Sequence, residues 1–381
     1  MSRSEFITFG DICCEVRKVT KDPIADGFER YIGLEHLDSG SLKINRWGLI
    51  SEDKVGFTRI FTKGQILLGK RRSYLRKAAI AEFDGVCSGD IIVLDKKMSE
   101  PASEILHVIL QTDQFWEWAV KKSTGSLSPR TKFKELASFT MPRPGSSTVK
   151  RLKSAFEKAA NLIRCQDDAL ISANKLFNTF LIESLSPRAI WPMKSLDEIS
   201  DIKGGRQRSP AHMTGENILP YLRPANVKRG KINLADVLEM NFTPEEQLVF
   251  KLEVGDIILV EGGESGDVGD SAFYNLPENH CYQNTLIRVR AKKELVDPRC
   301  LYWLLTYLHR SGGFLAIAAG TKIKHIGTKN TAKLKVPFPP ELELKKICSA
   351  LDALETYLYE LEEGRVKLVS LIKGFSRIIY N

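Results

Sequence analysis

Long hydrophobic runs are missing: no stretch approaches the roughly 20 uninterrupted apolar residues that a membrane span requires, and the start, Met1 to Phe9, has no basic segment followed by an apolar one. The expectation is a cytoplasmic chain with no membrane partner. Cysteine is sparse and unpatterned. The seven cysteines include no CxxC pair and no histidine at a zinc-binding spacing, and adjacent Cys13 and Cys14 would bridge only with strain. Reduced structural thiols are expected, without metal or cofactor. Signatures of catalysis are lacking too. The six histidines form no HExxH pair. The glycines Gly262, Gly263, Gly266 and Gly269 match neither GxxxxGK[ST] nor GxGxxG and read as a turn beside a strand. Gly263-Glu264-Ser265-Gly266 falls short of the GxSxG elbow. No Asn-Pro-Pro-aromatic or Asp-Pro-Pro-aromatic segment is present, and Pro337-Phe338-Pro339-Pro340 lacks the preceding acid or amide. These absences describe a chain that recognises without catalysing. A cryptic nuclease built from scattered carboxylates is an alternative.

What is present is globular in balance, with 43% hydrophobic and 27% charged residues, and at 381 residues it is long enough for two or three domains. An internal repeat organises it. Gly64-Gln65-Ile66-Leu67-Leu68 answers Gly255-Asp256-Ile257-Ile258-Leu259, and Tyr31-Ile32 answers Tyr221-Leu222. Gly125 answers Gly320, and Met141-Pro142-Arg143-Pro144 answers Val336-Pro337-Phe338-Pro339 at the same offset. Each proline cluster leads into a long helical pattern. From Val149 to Leu185 there is no Pro or Gly, and Leu152, Phe156, Ala159, Ile163, Leu170, Ala173, Phe177 and Phe180 recur at spacings of four and three, broken by Gln166 and Ser184. Leu344, Ile347, Leu351, Leu354, Leu358, Leu361, Leu368, Ile372, Phe375 and Ile379 do the same, broken by Arg365. An amphipathic helix lying on a domain would give either pattern singly; two at one repeat offset favour mutual pairing as an antiparallel coiled coil. With Leu152 beside Ile379, Gln166 falls beside Arg365.

Short strands are expected at Gln65 to Leu68, Ala78 to Ala81, Asp90 to Leu94, Asp256 to Val260 and Thr285 to Val289. Amphipathic helices are expected at Glu104 to Val120 and Pro298 to Arg310. The fold class is α+β: two mixed α/β domains, 1–148 and 187–340, separated by long helices over 149–186 and 341–381, with an internal pseudo-two-fold repeat.

The formal charge is +9, and carboxylates are excluded from whole windows. Between Asp53 and Glu82 lie Lys54, Arg59, Lys63, Lys70, Arg71, Arg72, Arg76 and Lys77; between Glu117 and Glu135 lie Lys121, Lys122, Arg130, Lys132 and Lys134. From Arg299 to Pro340 the cations are Arg299, Arg310, Lys322, Lys324, Lys329, Lys333 and Lys335. Such windows suit a polyanion, because Lys and Arg bind phosphates by releasing condensed counterions. Sequence reading needs Arg, Lys, Asn or Gln at base edges; Arg71, Arg72, Gln283 and Asn284 qualify. Tyr74 either stacks on a base or sugar or is an ordinary half-buried aromatic. Ser126, Ser128, Lys322, Lys324 and His325, in loops near Gly125 and Gly320, are capable of phosphate or groove contacts. Arg206 and Arg208 join the candidate set.

The order of domain, long helix, domain, long helix resembles the specificity subunit of Type I restriction-modification enzymes, over nearly the whole chain. Local matches are Gly69 to Lys77 followed by Asp84-Gly85-Val86-Cys87-Ser88-Gly89-Asp90, and Val336-Pro337-Phe338-Pro339-Pro340 leading into the last helix. Where family members often carry Gln-Glu-hydrophobic or Glu-Gln after that cluster, this chain has Glu343-Leu344-Lys345-Lys346-Ile347. The resemblance implies two target-recognition domains, each reading half of a split site in double-stranded DNA. It also implies paired helices that set the spacer and dock two methyltransferase subunits, with restriction and translocation subunits joining the complex. Partners would supply S-adenosylmethionine binding, adenine N6 methylation and ATP-driven cleavage. A stand-alone RNA-binding or regulatory protein is the other alternative.

Overall fold

The computed structural model describes residues 5–53, 55–228, 230–264, 266–277, 279–375 and 379; Lys54 and Ser265 lie outside them. The chain divides into two compact units, one formed by 1–168 with 362–381 and the other by 169–361.

In the first unit a four-stranded antiparallel sheet has the order Cys13–Val16, Ile91–Lys96, Ile66–Gly69, Ala78–Ile80. Its two central strands read as apolar runs because both faces are covered. Ile66, Leu68, Ile92 and Leu94 point to a helical layer containing Leu106, Phe115 and Leu152, whereas Leu67, Ala79 and Val93 point to Ile32, Phe61 and Cys87. The second set belongs to a small sheet, Gly48–Leu49, Arg30–Ile32, Gly85–Cys87, Arg59–Phe61, in which Tyr31 pairs with Val86 in parallel.

The second unit repeats this order. Ser200–Gly204, Leu286–Ala291, Ile257–Val260 and Ser271–Phe273 form its antiparallel sheet, and Leu238–Asn241, Ile218–Leu222 and Cys281–Tyr282 its smaller one, with Tyr221 parallel to Cys281. Ile257, Leu259, Ile287 and Val289 face the helices, and Ile258, Val260 and Leu286 face Leu222 and Tyr282. Each fully buried Leu or Ile of this kind contributes about 1.5–3 kcal/mol.

The helix Pro298–Arg310 forms as the periodicity predicts, its start capped by Asp297, whose carboxylate accepts from the N–H groups of Arg299 and Cys300. The helix expected at Glu104 to Val120 does not form as one piece. A 3-10 turn at Pro101–Ile105 and a helical turn at Leu106–Ile109 are followed by a separate helix, Asp113–Lys121. Thr112 makes the break. Its buried hydroxyl donates to Ile109 O at 2.7 Å and caps the next helix by accepting from Phe115 N at 3.3 Å. Trp116 Nε1 then satisfies the freed carbonyl of Leu110 at 2.8 Å. The short outer strands, such as Arg30–Ile32 and Ile218–Leu222, carry no run long enough to announce them.

Two helices of 40 and 34 residues, Ser146–Leu185 and Glu341–Gly374, supply side chains to both units. In the first, Leu152, Phe156 and Ala159 share a core cluster with Ile372 and Ile379. In the second, Phe177, Leu181 and Leu185 share one with Leu344, Cys348 and Leu351, against which Leu354 and Leu358 pack half-buried. Polar contacts add to the second docking: Asp352 accepts from Arg299 Nε at 2.6 Å and Trp303 Nε1 at 2.8 Å, with the Arg299 guanidinium 4.8 Å from the Trp303 ring centre. Ile163 is partly buried. At the polar break Arg365 is exposed and pairs with Asp167 at 2.5 Å, one residue from the expected Gln166, which instead lies against Gly364. The guanidinium takes the carboxylate because a charge-assisted bond at a wet position surpasses an amide contact.

His107 is buried with its ring 4.3 Å from that of Phe156, and its Nε2 has no hydrogen-bond partner. Burial pushes its pKa down from 6.5 to about 4, and Lys96 and Lys153 add to this against Glu104. Between these values the unfolded chain binds the proton and the folded chain does not, so stability is complete above the ordinary value and is lost as pH falls toward the lower one. We predict a decline of about 1.4 kcal/mol per pH unit across that window, measured as wild type minus His107→Leu in urea unfolding. Equal slopes in the two proteins would assign the titration to another group.

Candidate nucleic-acid interface

Beyond strand Ile66–Gly69 the first basic window becomes a tight turn. A 3-10 segment, Ser73–Leu75, is flanked by Arg72 at φ 52° and Arg76 at φ 50°, the non-glycine residues with positive φ among those described. Left-handed backbone at a non-glycine residue costs about 1–2 kcal/mol, so surrounding bonds must hold it. Ser73 is buried with its Oγ 2.8 Å from Thr131 Oγ1, which donates to Ala119 O at 2.9 Å. Arg72 N donates to Pro129 O, Thr131 N to Lys70 O and Lys70 N to Asp90 O, all at 2.8–2.9 Å. The turn so fixed leaves Arg72 and Tyr74 exposed, Tyr74 by 55%.

Asp90 sits beneath the cations. It accepts from Arg71 Nη1 at 3.0 Å and lies 3.3 Å from Arg130 Nε, while Arg71 Nε donates to Ser128 Oγ at 3.0 Å. One carboxylate thus orients two guanidiniums. Arg76 pairs with Asp113, and Lys77 Nζ donates to Leu34 O at 2.6 Å. Lys121 and Ser126 are exposed, and Lys122 lies 4.8 Å from the Trp118 ring centre. The segment at Ser39 and Gly40 also belongs here, although composition did not single it out. Ser39 Oγ donates to Leu75 O and Gly40 N to Arg76 O, which ties this segment to the turn, while Arg46 pairs with Asp38 and the Trp47 ring centre lies 4.8 Å from the Arg30 guanidinium.

The loops around Gly125 and Gly320 are matching hairpins. Thr124 and Arg130 exchange backbone bonds at 2.9 and 2.8 Å, and Ala319 and His325 do so at 2.9 Å. Gly125 and Gly320 take φ of 112° and 110°. Each hairpin is tied to the chain leaving the buried central strand: Arg130 bridges to Arg71, and His325 pairs with Gly262. A Cβ at Gly262 would lie 2.2 Å from His325 Nδ1, so this glycine permits the close approach. The glycine-rich segment is therefore a short strand, Gly262–Gly263, paired with Lys324–His325. Lys322 and His325 are exposed and Lys324 is half-buried. Burial raises the pKa of neighbouring Glu261, opposed by His325.

Arg206 is turned inward. It is buried, its Nη2 lies 2.7 Å from Glu246, and its Nη1 donates to Asn241 O. It braces this unit, and exposed Arg208 is the cation of that segment open to solvent. The backbone of Arg206 runs beside Gln283 and exposed Asn284, with Asn284 N donating to Arg206 O at 3.0 Å. Among the described residues no group of His, Cys, Asp or Glu is placed to hold a metal ion, and no helix is long and apolar enough to cross a membrane.

Comparison with known proteins shows what the chain is similar to. Residues 190–370 match the Type I restriction modification DNA specificity domain. The Type I restriction enzyme EcoDI specificity subunit of Escherichia coli is 26% identical over 197 residues, 50% of this chain and 44% of that protein. The match thus spans less than half of that relative's length. A chain from a structure described for complex assembly and conformational transition of the type I R-M system aligns with TM-score 0.60 and 17% identity, covering 98% of this chain and 96% of that one. The Type-I restriction-modification system S subunit from M. genitalium aligns with TM-score 0.56 and 13% identity, covering 99% and 96%. These two likenesses are of fold. Residues 190–370, which hold the sheets of the second unit, are thus similar to that specificity domain, and the first unit repeats their strand order.

Proposed function

We propose that this chain is the non-catalytic, cytoplasmic DNA-reading subunit of a Type I restriction-modification complex. Its target-recognition domains, 1–148 and 187–340, each read one half of a bipartite site in double-stranded DNA. Segments 149–186 and 341–381 pair as an antiparallel coiled coil within a pseudo-two-fold repeat and dock two methyltransferase subunits, through which restriction subunits join. The observation that carries this reading is the recurrence, in both units, of one glycine-pivoted hairpin bearing cations beside the end of the buried central strand. Duplicated readers of similar build and different side chains suit a target with two unlike halves. The shared apolar clusters of the long helices support the pairing.

The contacts divide by chemistry. Exposed Lys121 and Lys322 and half-buried Lys70 suit phosphates, where counterion release gives affinity without sequence preference. Arg72, Arg208, Asn284 and Gln283 offer planar groups suited to base edges. Arg71 and Arg130, held by Asp90, enter any groove already oriented. Methyl transfer and cleavage belong to the partner subunits.

Long-read methylation sequencing of a host with and without this chain tests the function: one bipartite adenine-methylation motif disappears on deletion, whereas an unchanged methylome rejects the reading. Structured RNA preferred over that duplex would favour a regulatory protein. Arg72→Lys keeps the charge and loses the fork, so a base contact predicts a loss of about 1–3 kcal/mol at one base pair. For a phosphate contact, Arg72→Ala instead weakens all sequences alike and makes the salt slope shallower by about 1. Adding one helical turn to each long helix should lengthen the spacer and leave the bases read unchanged; altered bases with an unchanged spacer would contradict the assigned role of the helices.

A further inference from the structure

Single exposed apolar side chains are ordinary on a protein surface. Leu127 and Ile323 differ in where they stand. Leu127, 92% exposed, is the apex of the Thr124 to Arg130 hairpin; Ile323, 59% exposed, stands one residue past the apex of the hairpin from Ala319 to His325. Both tips are otherwise polar or cationic: Ser126, Ser128 and Arg130 surround one, Lys322, Lys324 and His325 the other. In both units a hairpin of polar and cationic residues holds one aliphatic side chain out in water, at the apex in the first and one residue past it in the second.

The hairpins are also tied down. Gly125 and Gly320 adopt backbone that other residues resist, and a Cβ at Gly320 would lie 2.1 Å from Ile323 O. Arg71 ties the first hairpin through Ser128 and the backbone of Arg130, and Gly262 ties the second. An apolar group on a tethered hairpin loses little conformational freedom on insertion, whereas one on a floppy loop would lose much.

We propose that Leu127 and Ile323 are wedges that enter partly opened base steps, one in each half-site, while the flanking cations grip the phosphates. The proposal rests on the DNA-reading function above and adds the way each recognition domain deforms its half-site. Insertion of an aliphatic side chain buries it against the bases and kinks the duplex, an exchange made selective because pyrimidine–purine steps unstack most readily. Each hairpin thereby contributes specificity at a step it need not hydrogen-bond. A step opened this way also lowers the barrier to extruding a neighbouring base for methylation.

The test uses the chain assembled with its methyltransferase subunits on duplexes carrying the bipartite motif, with 2-aminopurine placed in turn at each step of both half-sites. The expected result is a several-fold fluorescence rise at one step of each half-site on binding. Leu127→Ala removes the rise in one half-site and keeps it in the other, Ile323→Ala does the reverse, and Leu127→Met restores the signal; donor–acceptor distances across the duplex report the lost bend. Site-specific binding by the wild type without any rise overturns the wedge and leaves the DNA-reading function standing. A rise that survives Leu127→Ala and Ile323→Ala overturns it also. Failure of the wild-type complex to bind the bipartite duplex removes both proposals together.

Discussion

Each unit is organised around a strand of four residues, Ile66–Gly69 or Ile257–Val260, that is buried on both faces. One face receives the helices and the other a second, smaller sheet. With both faces covered, the strand can present only its ends to solvent, and the backbone leaving it there bonds to a hairpin from far along the chain. The candidate interface is thus anchored on the least deformable element of each unit, where packing density resists displacement. The long helices add their apolar seams to the same cores, which couples each candidate surface to the long helices.

At the first surface the strained turn and the ion pairs work together. Two arginines in left-handed backbone are tolerated because Ser73, Thr131 and the carbonyls of Lys70, Asp90 and Pro129 bind the turn from beneath. Asp90 removes part of the local positive charge, and in return Arg71 and Arg130 are held ready. A polyanion bound here would meet oriented donors and so immobilise fewer side chains. The second surface reaches the same hairpin with other means: Gly262 makes room for the His325 ring where the first unit has Arg71.

Much of this was legible from residue order. The seams starting at Leu152 and Leu344 marked both long helices, because a long helix packed along one face needs a repeated apolar stripe. The match of Gly125 to Gly320 marked equivalent loops, since positive φ demands the same residue in each. The break at Thr112 was hidden, because the apolar spacing from Glu104 to Val120 continues through it and only a buried hydroxyl and the Trp116 ring nitrogen decide that the helix stops.

What the sequence determined by itself was periodicity, repetition and where carboxylates are excluded, all properties of neighbours along the chain. Which cations remain available was decided by the tertiary structure. Arg206 and Arg208 are near neighbours of one type, yet the first meets Glu246 and Asn241 across the unit while the second stays in water. Arg71 looked free until Asp90 and Ser128 arrived beside it. The physical reason is that an ion pair acts over a few ångströms of space, and the carboxylates that answer these cations lie tens of residues away in sequence.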